Sequence, residues 1–557
     1  MKEPVAVTAS LTVDDIHLKR RLGYWSLVAI GVGSVIGSGW LFAAMYAAQA
    51  AGPSSLIGWV VGGLIMLALA LVNAELGRTH PESGGSMRYP LYSNGKLAAG
   101  IIGWCTLVAV IGIPALEAAG VMQYASEYIP GLFVDGELTP LGILAAAILL
   151  GVFMIINFFG VKLFSESNNV ITFIKVFVPT LTIVMLIASG FTGANDAGGL
   201  ENFTSGGGFA PFGLTAPLSI IATGGILFAY NGAQVIVHLS GEAKNPRRNI
   251  PAAMVTTILF TIFLYVGLQL AFIMAVPTDM LANGWRGVDF DSPFANIAML
   301  MGMSWLYWML LADASISPTG SAIIGVASNA RNTFALAKNR FLPAWLQNVD
   351  DKWGVPRRAL VVNYLVGLAF LLPMPSWHAI IGVVGMLIAL TFGIAAVSAG
   401  VFRKTGVTTS ATRIRGVGIL APITFAAGGL VVSWVPWNTL MGTIPIVAIG
   451  LAWYAVTYFA QKHEWMHVRG GIWLIVYFAF LYVACFVGSF GIAAIPAPWD
   501  SVLVAIGSVL FYWWGVHEGG RFMSANPQIA ESMLETTSAN DAHEAEETRT
   551  AISAAQA

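Results

Sequence analysis

The chain has 557 residues, of which 57% are hydrophobic and only 10% are charged. This composition excludes an ordinary soluble domain and indicates a protein that is surrounded by a lipid bilayer. The formal net charge of −1 says little about partners, and no nucleic-acid partner is expected.

Apolar stretches of roughly 20 residues with few charges predict membrane-spanning helices. If the N-terminus is cytoplasmic, 25 of the 27 Lys and Arg residues fall in loops or tails on the cytoplasmic side, the exceptions being Arg286 and Lys175. The positive-inside rule predicts this distribution, so we expect both termini in the cytoplasm. The fourteen predicted spans cover residues 25–48, 55–75, 97–124, 140–160, 167–190, 214–238, 251–276, 304–330, 359–374, 378–402, 417–435, 438–460, 471–491 and 499–517.

Span 1 contains a glycine-rich interruption. Between Gly31 and Phe42 the sequence reads Gly-Val-Gly-Ser-Val-Ile-Gly-Ser-Gly-Trp-Leu-Phe. Each interior glycine costs a helix about 1 kcal/mol relative to alanine. Irregular backbone at bilayer depth is tolerated only where it is buried in protein or lines a wet cavity. Because a broken helix offers free N–H and C=O groups to a polar ligand, this pattern predicts a transporter.

Span 6 contains a second interruption. From Ala222 to Gln234 it reads Ala-Thr-Gly-Gly-Ile-Leu-Phe-Ala-Tyr-Asn-Gly-Ala-Gln. The two interrupted spans occupy corresponding positions if spans 1–5 and 6–10 are inverted repeats. The alternative is that the glycines only allow close helix packing. Two interruptions at an offset of five spans favour broken helices.

Several linked motifs in the first ten spans resemble the amino acid–polyamine–organocation (APC) superfamily of permeases. Besides the glycines of span 1, they are Glu75-Leu-Gly with Pro81-Glu-Ser-Gly-Gly85, the loop Gly241–Pro251, and the segment Ser328–Pro343 followed by Val355-Pro356. Within the superfamily, Ser38-Gly-Trp-Leu-Phe42, Tyr46-Ala-Ala-Gln49 and Glu117 look most like the bacterial aspartate–proton symporters.

The resemblance implies a fold class and an activity. The fold is an all-α integral membrane protein with the APC-type five-plus-five inverted repeat, broken spans 1 and 6, and about 14 transmembrane helices. The activity is secondary active transport by a proton-coupled amino acid symporter, with an acidic, aspartate-like substrate. One alternative is an amino acid or polyamine exchanger on the same fold, and another is an amino-acid-binding membrane sensor or channel.

The resemblance also implies a substrate site between the two broken spans. The N–H groups from Ser38 to Trp40 suit an α-carboxylate, and the opened backbone between Phe228 and Asn231 suits an α-ammonium group. Phe228 matches an aromatic gate, with lipid or core packing as the alternative. The predicted substrate-binding residues are Val35, Ser38, Gly39, Trp40, Glu117, Phe228, Ala229, Asn231, Gly232 and Gln234.

Three residues are predicted to couple transport to protons. Lys175 is the only cation within a predicted span, and matching permeases use a lysine there; the alternative is a side chain that extends to the cytosolic interface. Ser321 is expected beside Lys175. Glu117 is predicted to bind a substrate amine or carry a proton, unless it is only hydrogen-bonded to a neighbouring helix. Asp313, in the outer half of span 8, is either open to water or structural.

The substrate side chain is the least determined part of this prediction. An acidic side chain favours a cation, and only Lys175 is available within the spans, whereas Glu117 equally suits a cationic substrate. The sequence has no phosphate-binding loop, nucleophile elbow or metal motif. We therefore expect no enzyme, cofactor or metal site, and amino acid, protons and lipid as partners.

The predicted organisation has four parts. Residues 1–24 form a cytosolic tail, residues 25–402 the transport core, residues 403–517 the peripheral spans 11–14, and residues 518–557 a disordered cytosolic tail. The predicted location is the inner cell membrane, and the sequence does not indicate an oligomeric state.

Overall fold

The computed structural model describes residues 22–81, 85–159, 162–350, 353–461 and 465–535. These residues are mainly helical, with a short antiparallel hairpin formed by β1 (Phe133–Val134) and β2 (Glu137–Leu138). Residues 1–21 and 536–557, which make up most of the two predicted tails, lie outside the described residues.

The helices of the predicted transport core follow the predicted spans closely. They are α1 (Tyr24–Val35), α2 (Gly39–Ala51), α3 (Ser55–Thr79), α4 (Gly85–Ala125), α5 (Pro140–Phe158), α6 (Lys162–Thr192), α7 (Ala216–Thr223), α8 (Ile226–Tyr230), α9 (Val235–His238), α10 (Pro246–Ala275), α11 (Pro293–Leu300), α12 (Ser304–Lys338), α13 (Arg357–Leu371), α14 (Trp377–Thr391) and α15 (Gly393–Lys404). Helix α11 and the hairpin were not predicted from the sequence.

Both predicted interruptions coincide with breaks between helices. After α1 the backbone becomes extended at Ile36, with ψ 101°, and α2 begins at Gly39. The second segment consists of α7, α8 and α9, with a bend of 56° between α7 and the helical segment from Ile226 to His238. Gly225 and Gly232 have φ values of +85° and +135°. Glycine adopts this conformation without the steric cost that a side chain brings.

Ten helices in the described part of the chain are long and apolar enough to cross a membrane, or eleven when the bent pair is counted as one span. The difference from fourteen arises at predicted spans 1, 9 and 11. Span 1 is not counted separately, because α1 has only 12 residues and α2 is counted together with α3. Spans 9 and 11 are too short, because α13 has 15 residues and the helix Val417–Ser433 has 17. The count of fourteen stays a prediction.

The helix α4 lies at the centre of the fold and packs against α12, α14 and the peripheral helices. It is interrupted at Gly95, where φ is +80° and ψ is −172°, two residues before the predicted start of span 3. At this break the Asn94 side-chain amide donates to the carbonyl oxygens of Gly470 (3.3 Å) and Gly515 (3.0 Å). These hydrogen bonds attach the peripheral helices to the core.

The peripheral helices extend further along the chain than predicted. The last helix continues to Ala525, and residues 527–535 are also helical. The predicted disordered tail beginning at residue 518 is therefore wrong over residues 518–525 and 527–535. The helices are α16 (Val417–Ser433), α17 (Trp437–Met441), α18 (Ile444–Gln461), α19 (Trp465–Val487) and α20 (Trp499–Ala525).

A buried ion pair joins the end of α3 to the end of α15. The Arg403 guanidinium donates to both carboxylate oxygens of Glu75, each at 2.5 Å. The backbone N–H of Ile414 donates to the same carboxylate at 2.7 Å. Since Glu75 is fully buried, this bidentate pair fixes the loop before α16 against the core.

We expect Glu75→Gln to lower the stability of the folded protein by about 3 kcal/mol, because it leaves Arg403 beside a neutral group in a partly buried site. The melting temperature of the purified protein in detergent measures this loss. Glu531→Gln, at an exposed position of the last helical segment, is the control. Equal melting temperatures for the two variants would contradict a stabilising role for the pair.

Candidate functional site

The amine of Lys175 lies at the break between α1 and α2. Its Nζ donates to the carbonyl oxygen of Gly33 at 2.9 Å and to Ser321 Oγ at 2.7 Å. The Ser321 hydroxyl in turn donates to the carbonyl oxygen of Ile36 at 3.0 Å. Lys175 is only 1% exposed, so its side chain is buried inside the helix bundle. The amine and the Ser321 hydroxyl thus each satisfy a carbonyl group at the break.

Glu117 lies on the other side of the same break. Its Oε2 accepts a hydrogen bond from the backbone N–H of Ser38 at 2.9 Å, and the residue is only 1% exposed. A Cβ atom at Gly37 would overlap Glu117 Oε1 and lie 3.2 Å from Ser321 Oγ. The N–H group that was predicted to bind a substrate carboxylate is therefore occupied by a carboxylate of the protein.

The start of α2 packs against α8 and does not line an open space. A Cβ atom at Gly39 would lie 3.1 Å from Ala229 Cα and 3.3 Å from Phe228 Cδ1. Trp40 is buried, and its ring centroid is 5.6 Å from that of Phe294. The two broken segments thus meet closely at Gly39 and Ala229, whereas Trp40 packs against α11.

An aromatic cluster closes one side of the break. The indole N–H of Trp377 donates to Ser38 Oγ at 2.8 Å. The Trp377 ring packs against Phe42, Tyr46 and Phe228, with centroid distances of 5.1, 5.8 and 6.3 Å. Phe228, predicted as a gate, is therefore part of a larger closure that includes α14.

A cavity of about 230 Å³ lies beside the break and borders this cluster at Phe228. Of the predicted site residues it is lined by Val35, Glu117, Phe228, Asn231, Gly232, Gln234 and Ser321. The predicted residues Ser38, Gly39, Trp40, Ala229 and Lys175 are not among its lining residues. The cavity extends along α3, α4 and α12 towards the C-terminal ends of α3 and α12, and it borders the end of α14 and the start of α15.

The backbone between α8 and α9 is held by a close approach to α1. A Cβ atom at Gly232 would lie 2.8 Å from the carbonyl oxygen of Ser34, so only glycine fits there. The Gly232 N–H donates to Gln234 Oε1 at 3.0 Å. Gln234 therefore stabilises the break with its oxygen, and Asn231 remains half-buried at the cavity wall.

The structure adds cavity residues that the sequence did not suggest. Most are polar side chains from helices outside the two broken segments, and one, His238, is the last residue of α9: Asn73, Thr106, His238, Ser328, Asn329 and Asn332. Some are already engaged, because Asn73 donates to the Leu69 carbonyl oxygen at 3.0 Å and Asn329 to that of Val110 at 2.5 Å. Within the described ranges, no group of three or more His, Cys, Asp or Glu residues could hold a metal ion.

A protein-family model described as amino acid permease matches residues 22–438. The chain belongs to the amino acid permease family. As a family member with many apolar helices, this permease is a multi-pass membrane protein that transports amino acids and is not an enzyme.

Two bacterial relatives match the permease over nearly its whole length. It is 36% identical over 518 residues to the glutamate/serine transporter AimA of Bacillus subtilis, and the aligned region covers 90% of the permease and 94% of the relative. It is 34% identical over 514 residues to the aspartate-proton symporter of the same organism, with coverage of 90% and 97%. A more distant relative, the vacuolar cationic amino acid transporter 4 of Arabidopsis thaliana, is 26% identical over 401 residues, covering 68% and 64%.

Proposed function

We propose that this permease imports an acidic amino acid together with a proton by alternating access. The observation that supports this most is the buried amine of Lys175, which bonds to Gly33 and Ser321 at the break in span 1. A group that gains and loses a proton there changes the charge at the point where the two halves of the broken helix meet. Two relatives, a glutamate/serine transporter and an aspartate-proton symporter, support the substrate class and the coupling ion.

Glu117 links substrate binding to proton binding in this proposal. The α-carboxylate of a substrate requires the N–H groups at the start of α2, and Ser38 donates its N–H to Glu117 in the described state. Substrate must therefore displace the Glu117 carboxylate. Because two carboxylates in one buried site repel each other, the displaced group is stabilised by a proton. Substrate and proton then favour each other's binding.

Neutral groups in the cavity are proposed to bind the substrate side chain. Thr106 and Asn332 line the cavity and are half-buried, and the described residues of the lining include no Lys or Arg. Hydroxyl and amide donors bind either a carboxylate or a hydroxyl group. This choice of donors agrees with a relative that carries both glutamate and serine.

The proposed topology has fourteen spans in the inner cell membrane, with both termini in the cytoplasm. Basic residues at the ends of α3, α12 and α15, namely Arg78, Lys338, Arg403 and Lys404, support this orientation. Because the cavity extends towards the same ends of α3 and α12, the described state is proposed to face inward, with the Trp377 cluster closing the outer side.

Transport by the purified protein in liposomes tests the proposal. We expect radiolabelled aspartate to accumulate inside above its outside concentration only when the outside is more acidic. An exchanger would instead require amino acid inside the liposomes and no pH gradient. A channel would conduct without saturation, and a sensor would bind aspartate without any flux.

We expect Asn231→Ala to change substrate selectivity more than expression, because Asn231 lies at the cavity wall beside the opened backbone. Competition of unlabelled aspartate, glutamate and serine against labelled aspartate measures selectivity, and a several-fold change in their relative potencies is expected. Asn348→Ala, at an exposed loop position, is the control. Equal loss of all substrates together with loss of folded protein would indicate a packing role.

A further inference from the structure

Three polar residues lie at four-residue intervals on α12, namely Asp313, Ser317 and Ser321. Side chains at this spacing share one face of a helix. Ser317 donates its hydroxyl to Asp313 Oδ1 at 2.8 Å, and Ser321 accepts the bond from Lys175 Nζ. Along the axis of α12, Asp313 is about 12 Å from Ser321, given a rise of 1.5 Å per residue. This face of α12 therefore runs from Asp313 in the outer half of the helix to Ser321, which contacts Lys175.

Asp313 differs from a structural buried aspartate. It is 1% exposed, and its Oδ2 has no hydrogen-bond partner among the described residues. Asp500, in α20, shows the structural arrangement, because its Oδ1 accepts from the Ser501 N–H at 2.6 Å and its Oδ2 from the Ser489 N–H at 2.9 Å. An ionised carboxylate with one unpartnered oxygen is costly to bury. Asp313 is therefore well suited to the neutral, proton-carrying form.

Acidic groups lie at the outer end of the same helix. Glu127 accepts hydrogen bonds from the Tyr307 hydroxyl of α12 at 3.2 Å and from the Asn296 side chain at 2.7 Å. In the neighbouring loop, partial burial and the charges of Glu127 and Asp289 raise the pKa of Asp291 above its ordinary value. A group with a raised pKa holds protons at a higher pH than an ordinary aspartate does.

We propose that Asp313 is a proton relay between this acidic outer surface and Lys175. The inference rests on the proposed proton-coupled function and assigns a residue to the outer part of the proton path. Asp313 interacts electrostatically with Lys175 of α6 and with Tyr124 of α4. Lys175 also interacts with Glu117 of α4.

The transfer is balanced in protons and charge. The neutral carboxyl of Asp313 releases its proton, which reaches the neutral amine of Lys175 along the face that contains the Ser317 and Ser321 hydroxyls. The products are the Asp313 carboxylate and the Lys175 ammonium, which attract each other. A proton from the outer surface then restores the neutral carboxyl, and Lys175 releases its proton on the inner side.

Asp313→Asn tests the relay, because asparagine has nearly the same shape and cannot carry a proton. In liposomes we expect this variant to keep aspartate exchange within about threefold of wild type. Its accumulation of aspartate driven by a pH gradient should be at least about tenfold lower than that of wild type. Asp500→Asn is the matched control for removing a buried carboxylate, and it should accumulate aspartate as wild type does. Wild-type accumulation by Asp313→Asn at every imposed gradient would overturn the relay.

If Asp313→Asn does not fold, Ser317→Ala decides the question, because it removes the hydrogen bond and keeps the carboxyl group. The pH dependence of accumulation should then shift from that of wild type, and an unchanged pH profile would overturn the relay. Wild-type transport without any proton dependence would instead reject the proposed function. Proton dependence in wild type that survives both variants rejects the relay alone.

Discussion

Replacing Lys175 with alanine should abolish gradient-driven accumulation of aspartate while leaving aspartate exchange measurable. The amine donates to Gly33 of α1 and to Ser321 of α12, and it is almost completely buried. Charging a buried amine is costly, so small changes in its hydration change its protonation. When alternating access exposes the amine first to one side and then to the other, the proton favours one conformation.

Uptake by reconstituted Lys175→Ala protein, with and without an imposed pH gradient, measures the effect. We expect accumulation to fall by at least about 100-fold, the loss of about 2.7 kcal/mol of coupling free energy. Lys175→Arg should fail in the same way, because arginine keeps its charge and does not release its proton at physiological pH.

Thr182→Ala is the matched control on the same helix, since the Thr182 hydroxyl is buried and bonds only to the Val178 carbonyl oxygen of its own helix within the described residues. It should accumulate aspartate as wild type does. If Lys175→Ala concentrates aspartate with the wild-type dependence on the gradient, the lysine is structural. Glu117 then becomes the leading candidate for the proton carrier.

The helix breaks were predictable from sequence because their cause is local. Glycine in a helix interior lowers helix stability, so the glycines near Ser38 and Asn231 would destabilise a continuous span. In the structure, the residues that follow α1 and α8, Ile36 and Asn231, have extended backbone. The proximity of Lys175 and Ser321 was predicted only from the resemblance to a family, because their spacing in sequence does not indicate a contact.

The state of the site was not predictable from sequence. Which carboxylate occupies the Ser38 N–H depends on the distance between α2 and α4, which no local pattern encodes. The same holds for Trp377, whose bond to Ser38 Oγ joins residues 339 positions apart. Asn332 and Thr106 line the cavity only because α12 and α4 turn those faces inward. A polar residue on one face of an apolar helix was the one available signal.

Replacing Gly39 with valine should abolish amino acid binding while leaving the protein inserted and folded. A Cβ atom at this position already lies 3.1 Å from Ala229 Cα, which is too close for an ordinary contact. The two methyl groups of valine would therefore push α8 away from the start of α2 and displace the opened backbone at Asn231. Gly37→Val should act similarly, because a Cβ there would overlap Glu117 Oε1.

The rise in melting temperature that an amino acid causes measures binding to the purified protein. Wild type should be stabilised by aspartate, whereas Gly39→Val should show no shift, corresponding to at least about a 100-fold weaker affinity, or about 2.7 kcal/mol. Gly151→Val is the matched control, since a Cβ at this helical glycine of α5 meets no atom closer than 3.7 Å. The control should keep its aspartate-induced shift. Wild-type affinity in a folded Gly39→Val protein would place the substrate site elsewhere than between the two broken segments.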